Sequence, residues 1–263
     1  MDQFQGRTFR GFQLKKALFI LPNAFTIASI FCGLYAIFTA ASINDSEALF
    51  RNETLYRSAI AVFFAGFFDL FDGRVARLTR TQSDFGVQLD SLADIVSFGV
   101  APAIIMFKWA LQPLGAIGMF GAFCFTACGA IRLARFNVMA ARETKGAGNY
   151  FVGLPIPLAA SMLIAMVMAH FKLFGDLPVQ GHYPILAMVV VLSILMVSTV
   201  PYWSFKEFHF TIKWAIVLAS LGVMITYASL RYTMSVTYVA IIATYILAGL
   251  GRAVYRFFRK RPT

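Results

Sequence analysis

Residues 59–105 read AIAVFFAGFFDLFDGRVARLTRTQSDFGVQLDSLADIVSFGVAPAII, and this stretch decides the architecture. Its two arms are apolar and its middle, RLTRTQSDF at 77–85, is polar, which describes two hydrophobic helices joined by a short turn. The rest of the chain has the same character. Of 263 residues, 59% are hydrophobic and 13% charged, and the mean hydropathy is +0.73, which excludes a water-facing globule. Apolar runs of about 20 residues recur from end to end, the length needed to cross a bilayer. A barrel would alternate apolar and polar residues, whereas segments such as 186–200 are apolar all round. The chain is therefore expected to be an all-α, polytopic membrane bundle whose helices satisfy their own backbone groups.

Eight spans are expected, at about 17–41, 55–79, 86–110, 115–137, 153–173, 183–200, 212–230 and 234–254. The net charge of +11 then acquires a topological meaning. One side holds Arg7, Arg10, Lys15 and Lys16, then Arg74, Arg77 and Arg80, then Arg132, Arg135, Arg142 and Lys145, then Lys206 and Lys213, and finally Arg252, Arg256, Arg259, Lys260 and Arg261, or 18 of the 23 basic residues. The other side keeps Arg51, Arg57, Lys108, Lys172 and Arg231, with an acidic first loop carrying Asp45, Glu47 and Glu53. The positive-inside rule places both termini in the cytoplasm, in agreement with an even number of spans. With no soluble domain to present a basic face, nucleic acid is not an expected partner.

Three segments follow: a basic N-terminal region at 1–16, a six-helix core at 17–200, and two further helices with a basic tail at 201–263. Phe4, Phe9 and Phe12 among basic residues suit a short interfacial helix, or equally a basic tail. The first span is longer than the apolar part of a cleaved signal and more spans follow, so no removal is expected. Cys32, Cys124 and Cys128 lie in apolar spans and read as small core residues, and His170, His182 and His209 lie near span ends. Gly115, Gly118 and Gly121 have helical spacing and suit close helix packing.

Ionisable groups inside apolar helices are costly, and Asp69, Asp72, Asp90 and Asp94 place four in one hairpin. Asp69 and Asp72 are three apart and Asp90 and Asp94 four apart, so each pair shares a helix face. Antiparallel register about residue 81 sets Asp69 opposite Asp94 and Asp72 opposite Asp90, the latter pair roughly 14 Å from the bend. Four converging carboxylates with no His or Cys select hard cations, Mg²⁺, Mn²⁺ or Ca²⁺, and two metals are the natural complement. The other reading is that some of the four are protonated and hydrogen-bonded to one another. Gly73 and Gly86 leave room for backbone or phosphate, and Arg77 stands one turn beyond Asp72. Carboxylates, metal, glycine and arginine together describe phosphoryl transfer.

The pattern Asp69-x2-Asp72-Gly73-x2-Ala76-Arg77-x8-Gly86-x3-Asp90-x3-Asp94 resembles the complete signature of the CDP-alcohol phosphotransferases, with no position departing from it. Outside it, LPNAFTIAS (21–29), SFGVAPA (97–103), RLARFNV (132–138) and YFVGLPIPLAA (150–160) resemble the bacterial CDP-diacylglycerol–serine O-phosphatidyltransferases. The resemblance implies transfer of the phosphatidyl group from CDP-diacylglycerol to L-serine, with release of CMP. It also implies a cell-membrane enzyme with a cytoplasmic site and a homodimer. By position, Asp69, Asp72 and Asp90 would be metal ligands, and Asp94 would help hold a metal and act as general base. Gly73, Arg77 and Gly86 would line the nucleotide and pyrophosphate.

For the serine carboxylate, Arg132 and Arg135 are the candidate donors, with Ser97 and Asn137 as further polar candidates; ordinary positive-inside flanking explains the arginines equally. Asn23 and Thr26 share a face at the start of the first span and could meet the cytidine, or cap or pack, while Pro22 suits an N-terminal helix position. Gly153, Pro155 and Pro157 suit the shaping of the start of the fifth span. Glycerol 3-phosphate, inositol phosphate and choline-type acceptors share the aspartate chemistry. A cation transporter would continue the polar track deeper, but the residues beyond Asp69 and Asp94 are nearly all apolar. A non-catalytic scaffold would be expected to have lost a carboxylate, and all four are present.

Overall fold

A computed structural model describes residues 5–43, 48–79, 81, 83–142, 150–175, 177, 179, 181–203 and 234–259. The described chain is helical apart from one small ribbon, as the composition requires. Helix α1 spans Gln5–Ala41 and α2 spans Ala48–Thr79. A third crossing is built from α3 (Asp84–Asp94), a π-helical stretch (Ile95–Val100), α4 (Ala101–Met106), a second π-helical stretch (Phe107–Leu111) and a closing 3₁₀ turn (Gln112–Leu114). Then follow α5 (Ala116–Arg142), α6 (Ile156–Phe174), α7 (His182–Val197) and α8 (Met234–Arg259). Strand β1 (Tyr150–Val152) pairs antiparallel with β2 (Pro201–Trp203), Phe151 opposite Tyr202.

Among the described residues, five helical stretches are long and apolar enough to cross a membrane: Leu21–Ala41, Asp84–Leu114, Ala116–Ala140, Ile156–Phe174 and Met234–Ala253. Their outward side chains agree, since Phe31, Phe38, Phe120 and Phe123 are all more than 60% exposed and belong in lipid rather than water. The span expected at 183–200 is the shorter α7, and the whole of 212–230 lies outside the described residues, as do Phe4, Lys206 and His209. Residues 5–16 form the first part of α1. Pro22 consequently lies inside a helix rather than at its start, at the cost of one main-chain bond.

The third crossing is irregular for a reason visible in its sequence. Each π-helical stretch ends two residues before a proline, Pro102 or Pro113. Proline brings no N–H and its ring crowds the carbonyl four residues back, so the helix widens there instead of breaking. The amide of Ala101 reaches Val96 and that of Gln112 reaches Phe107, each five residues back. Neighbouring helices take up nearby carbonyls. The Thr126 hydroxyl donates to Gly99 O (3.2 Å), Arg51 Nη2 donates to Lys108 O (2.5 Å), and His182 Nδ1 lies 2.7 Å from Ala110 O.

Small residues set the closest packing. Ala36 and Ala40 of α1 and Ala59 and Ala65 of α2 are fully buried, letting the two backbones approach. Gly118 and Gly121 behave as expected: a methyl on Gly118 would strike the Leu111 carbonyl, and one on Gly121 would strike Leu186 of α7. The three cysteines are free and half-buried.

Candidate active site

Ser83 fixes the start of α3. Its backbone is extended, and its hydroxyl accepts the Gly86 amide at 3.1 Å, a side-chain cap that ends the turn after α2. This short connection sets α2 and α3 antiparallel, and the carboxylates then meet in the register their numbering implies. One oxygen each of Asp69, Asp72 and Asp90 lies within 4.8 Å of the others. Asp94 lies against Asp69, close enough for a hydrogen bond between the carboxyls, and is also within electrostatic reach of Asp90.

Ligands 2.0–2.6 Å from one hard cation stand no more than about 5 Å apart, so the three oxygens fit such an ion. Asp90 Oδ1 and Asp94 Oδ1 are buried and have no hydrogen-bond partner. Buried carboxylate oxygens left in this condition need a cation or a proton. An all-oxygen donor set suits Mg²⁺, Mn²⁺ or Ca²⁺ without distinguishing them.

Beside the carboxylates opens a cavity of about 620 Å³. α1 contributes Pro22, Asn23 and Thr26; α2 contributes Asp72, Gly73 and Ala76; the turn contributes Thr81 and Ser83; and α3 contributes Asp84, Gly86, Val87 and Asp90. The volume is of the order of a small-molecule site. Thr26 is buried and donates to Asp72 Oδ2 at 2.9 Å, with Pro22 O at 3.2 Å as a second acceptor. A methyl added to Gly73 would meet nothing within 4 Å, so that face of α2 is open, whereas one added to Gly86 would crowd Ser83 Oγ at 3.3 Å. Asn23, Thr26, Gly73 and Gly86 thus come together around one space. Arg77 is not among the lining residues; it is exposed and its Nε donates to Gly73 O at 2.9 Å.

The four residues suggested for serine separate into different environments. Arg132, on α5, is 8% exposed, its Nε lacks a partner, and its charge interacts with that of Asp94. Phe136, one turn on, lies under its guanidinium at 5.8 Å. Arg135 is occupied: Nη1 donates to Val197 O at 2.7 Å, and Nη2 to Val152 O and Ser198 O at 3.1 Å and to Met196 O at 3.4 Å. It caps the end of α7 and ties it to β1. Ser97 is fully buried against α1, donating to Ser29 O at 3.0 Å and packed on Gly33. Asn137 Nδ2 donates to Ser91 Oγ at 2.8 Å, joining α5 to α3 beside Asp90. Sequence reading passed over Thr81, Ser83 and Asp84 as lining residues. A serine immediately before an amphipathic run is the cap signal that locates this turn.

A family profile described as CDP-alcohol phosphatidyltransferase matches residues 19–200. The chain belongs to this family. Curated relatives within reach of it include a CDP-diacylglycerol–serine O-phosphatidyltransferase of Helicobacter pylori strain J99, 35% identical over 240 residues, covering 90% of this chain and 92% of that protein. The protein of the same designation from Bacillus subtilis is 33% identical, covering 71% of this chain and 92% of its own length. One from Methanocaldococcus jannaschii is 36% identical over 64% of this chain and 76% of its own. Family membership agrees with the aspartate signature, three of whose carboxylates the fold brings together.

Proposed function

We propose that the protein transfers the phosphatidyl group of CDP-diacylglycerol to L-serine, giving phosphatidylserine and CMP. The observation that carries this reading is the approach of Asp69, Asp72 and Asp90 to within 4.8 Å, with Asp94 beside Asp69, next to a cavity open on Gly73. The choice of serine rests on the relatives, which bear that activity in their names at 33–36% identity. Two divalent cations, Mg²⁺ or Mn²⁺, held by Asp69, Asp72, Asp90 and Asp94, would offset the charge of the pyrophosphate and polarise the phosphorus.

The residues of the chain supply the rest. Asn23, Thr26, Gly73 and Gly86 accommodate the nucleotide and its phosphates, and Arg77 stands at the rim, one turn beyond Asp72. Asp94 Oδ1 takes the proton from the serine hydroxyl as the new O–P bond forms and the P–O bond to CMP breaks. Arg132 offers an unpartnered guanidinium N–H to the serine carboxylate. Arg135, Ser97 and Asn137 hold the helices that carry these groups.

Eight crossings are proposed: the five apolar stretches, α2, α7 and residues 212–230. The basic residues, 18 of 23 on one side, support cytoplasmic termini and a site facing the cytoplasm of the cell membrane. The protein is proposed to act as a homodimer, which chemical crosslinking in native membranes tests. The deciding experiment is CMP release from purified protein with CDP-diacylglycerol and Mg²⁺ or Mn²⁺, adding serine, glycerol 3-phosphate or inositol phosphate in parallel. Serine-dependent release abolished by chelator is expected. Release driven by another alcohol overturns the acceptor, and no release with any of them overturns the reaction.

A further inference from the structure

Tyr202 lies just beyond the segment matched by the family profile, and its side chain is almost completely buried, at 1% exposure. Its ring stacks on Tyr245 of α8, with centroids 5.7 Å apart and planes at 23°, and it fills the space over Gly249 one turn further on. A methyl on Gly249 would fall onto the ring, 2.6 Å from Cδ1 and 3.1 Å from Cζ. The fit is steric, because the Tyr202 hydroxyl is buried without a hydrogen-bond partner. A tyrosine ring seated in a glycine notch is a docking contact between α8 and the short ribbon, and it leaves little freedom to either.

The ribbon is joined to the site by a short series of bonds. Tyr202 stands opposite Phe151 in the β1–β2 pair, and the Gly153 amide donates to Val200 O at 2.9 Å. Gly153 has φ of +82°, and a side chain there would meet Arg135 Nη2 at 2.8 Å, so this turn takes the arginine directly against its backbone. Arg135 in turn holds Val152 O and three carbonyls at the end of α7. One helical turn before Arg135 stands Arg132, the buried guanidinium whose charge meets Asp94.

We infer that Tyr202 is a positioning residue for the acceptor: α8, by seating the Tyr202 ring on Gly249, fixes the ribbon that locks Arg135 and so sets Arg132 against the carboxylate cluster. The C-terminal helix is then a buttress of the acceptor side of the site, whereas the donor side is lined, among the described residues, by α1, α2, α3 and the turn between α2 and α3. This rests on the reading of serine as acceptor, and the test separates the two.

Wild-type protein is assayed first for serine-dependent CMP release, whose absence would sink the acceptor assignment rather than the buttress. With that release in hand, Gly249→Ala and Tyr202→Leu are expected to raise the serine KM by about three- to tenfold, the range for coupling through a packed contact, with the CDP-diacylglycerol KM and the metal requirement unchanged. Tyr202→Phe should leave the serine KM as in wild type, since the hydroxyl makes no bond. Combining Gly249→Ala with Tyr202→Leu, which removes ring volume where the methyl is added, should give a smaller rise than the two single effects multiplied. A contact that merely stabilises the fold would lower active protein and kcat while leaving both KM values alone, and that result overturns the inference. So does an equal rise in the donor KM. If Gly249→Ala does not fold, Tyr202→Leu against Tyr202→Phe decides the matter alone.

Discussion

The hydroxyl of Thr26, on α1, donates to Asp72 Oδ2 on α2 across 2.9 Å, so a residue far from the aspartate signature orients one of its carboxylates. A metal-binding carboxylate held by an outer partner presents a fixed oxygen to the ion, and loss of such a partner costs about 10–100-fold in affinity or activity. Thr26→Val is expected to raise the Mn²⁺ concentration for half-maximal CMP release by about tenfold, with Thr26→Ser close to wild type. Metal titration of initial rates checks this; an unchanged titration removes Thr26 from the support of the site.

The aspartates should divide by role. Asp69→Asn, Asp72→Asn and Asp90→Asn are expected to lose at least about a hundredfold in kcat/KM, together with loss of metal binding by calorimetry. Asp94→Asn should lose comparable activity while keeping more of the metal affinity, because a base is removed rather than a principal ligand. Retained turnover in Asp94→Asn with an unaltered acidic limb of the pH–rate profile would show that the serine proton goes elsewhere.

Arg132 and Arg135 look alike in sequence and should fail differently. Arg135 spends its fork on four main-chain carbonyls, which lysine cannot reproduce. Arg135→Lys should lower the unfolding midpoint of the solubilised protein, while Arg132→Lys should raise the serine KM at nearly unchanged stability. The opposite pattern would exchange their assignments.

Legibility in the sequence followed the period of the signal. The meeting of Asp69 with Asp94 and of Asp72 with Asp90 could be read from numbers alone, because a hairpin between straight helices has one register and the turn RLTRTQSDF marks its centre. The all-α fold and the small-residue packing at Gly118 and Gly121 were readable for a similar reason: apolar run length and close helix contacts are local properties. What escaped was long-range. Nothing local distinguishes Arg135, which binds carbonyls some 60 residues away, from Arg132, which does not. The β1–β2 ribbon joins two three-residue pieces too short to show alternation. Pro22 has the local look of a helix start yet lies inside α1, because the first apolar residue of the span is not the first residue of the helix.

Thr126 offers a test of the irregular third crossing. Its hydroxyl donates to Gly99 O within the π-helical stretch that follows Asp94. Thr126→Val leaves that carbonyl without its partner in an apolar setting and is expected to destabilise the solubilised protein by about 1–3 kcal/mol in denaturant unfolding, with Thr126→Ser recovering most of it. No change would mean that the wide turn does not depend on α5.

The first π-helical stretch also bears on a buried spacing that a regular α-helix would not keep on one side. Ala93, Ser97, Ala101, Ile105 and Trp109 are all buried, at every fourth position over sixteen residues. At 3.6 residues per turn such a stripe would wind about 160° around the rod, carrying its outer end toward the opposite side. The first wide turn lies wholly within that stretch and absorbs one residue's rotation, about 100°, which reduces the drift to about 60°. Pro102 thereby acts as a phase corrector, keeping this stripe turned inward over more of the crossing than a regular helix would. Pro102, placed two residues after that wide turn, is then the mark of this geometry in the sequence.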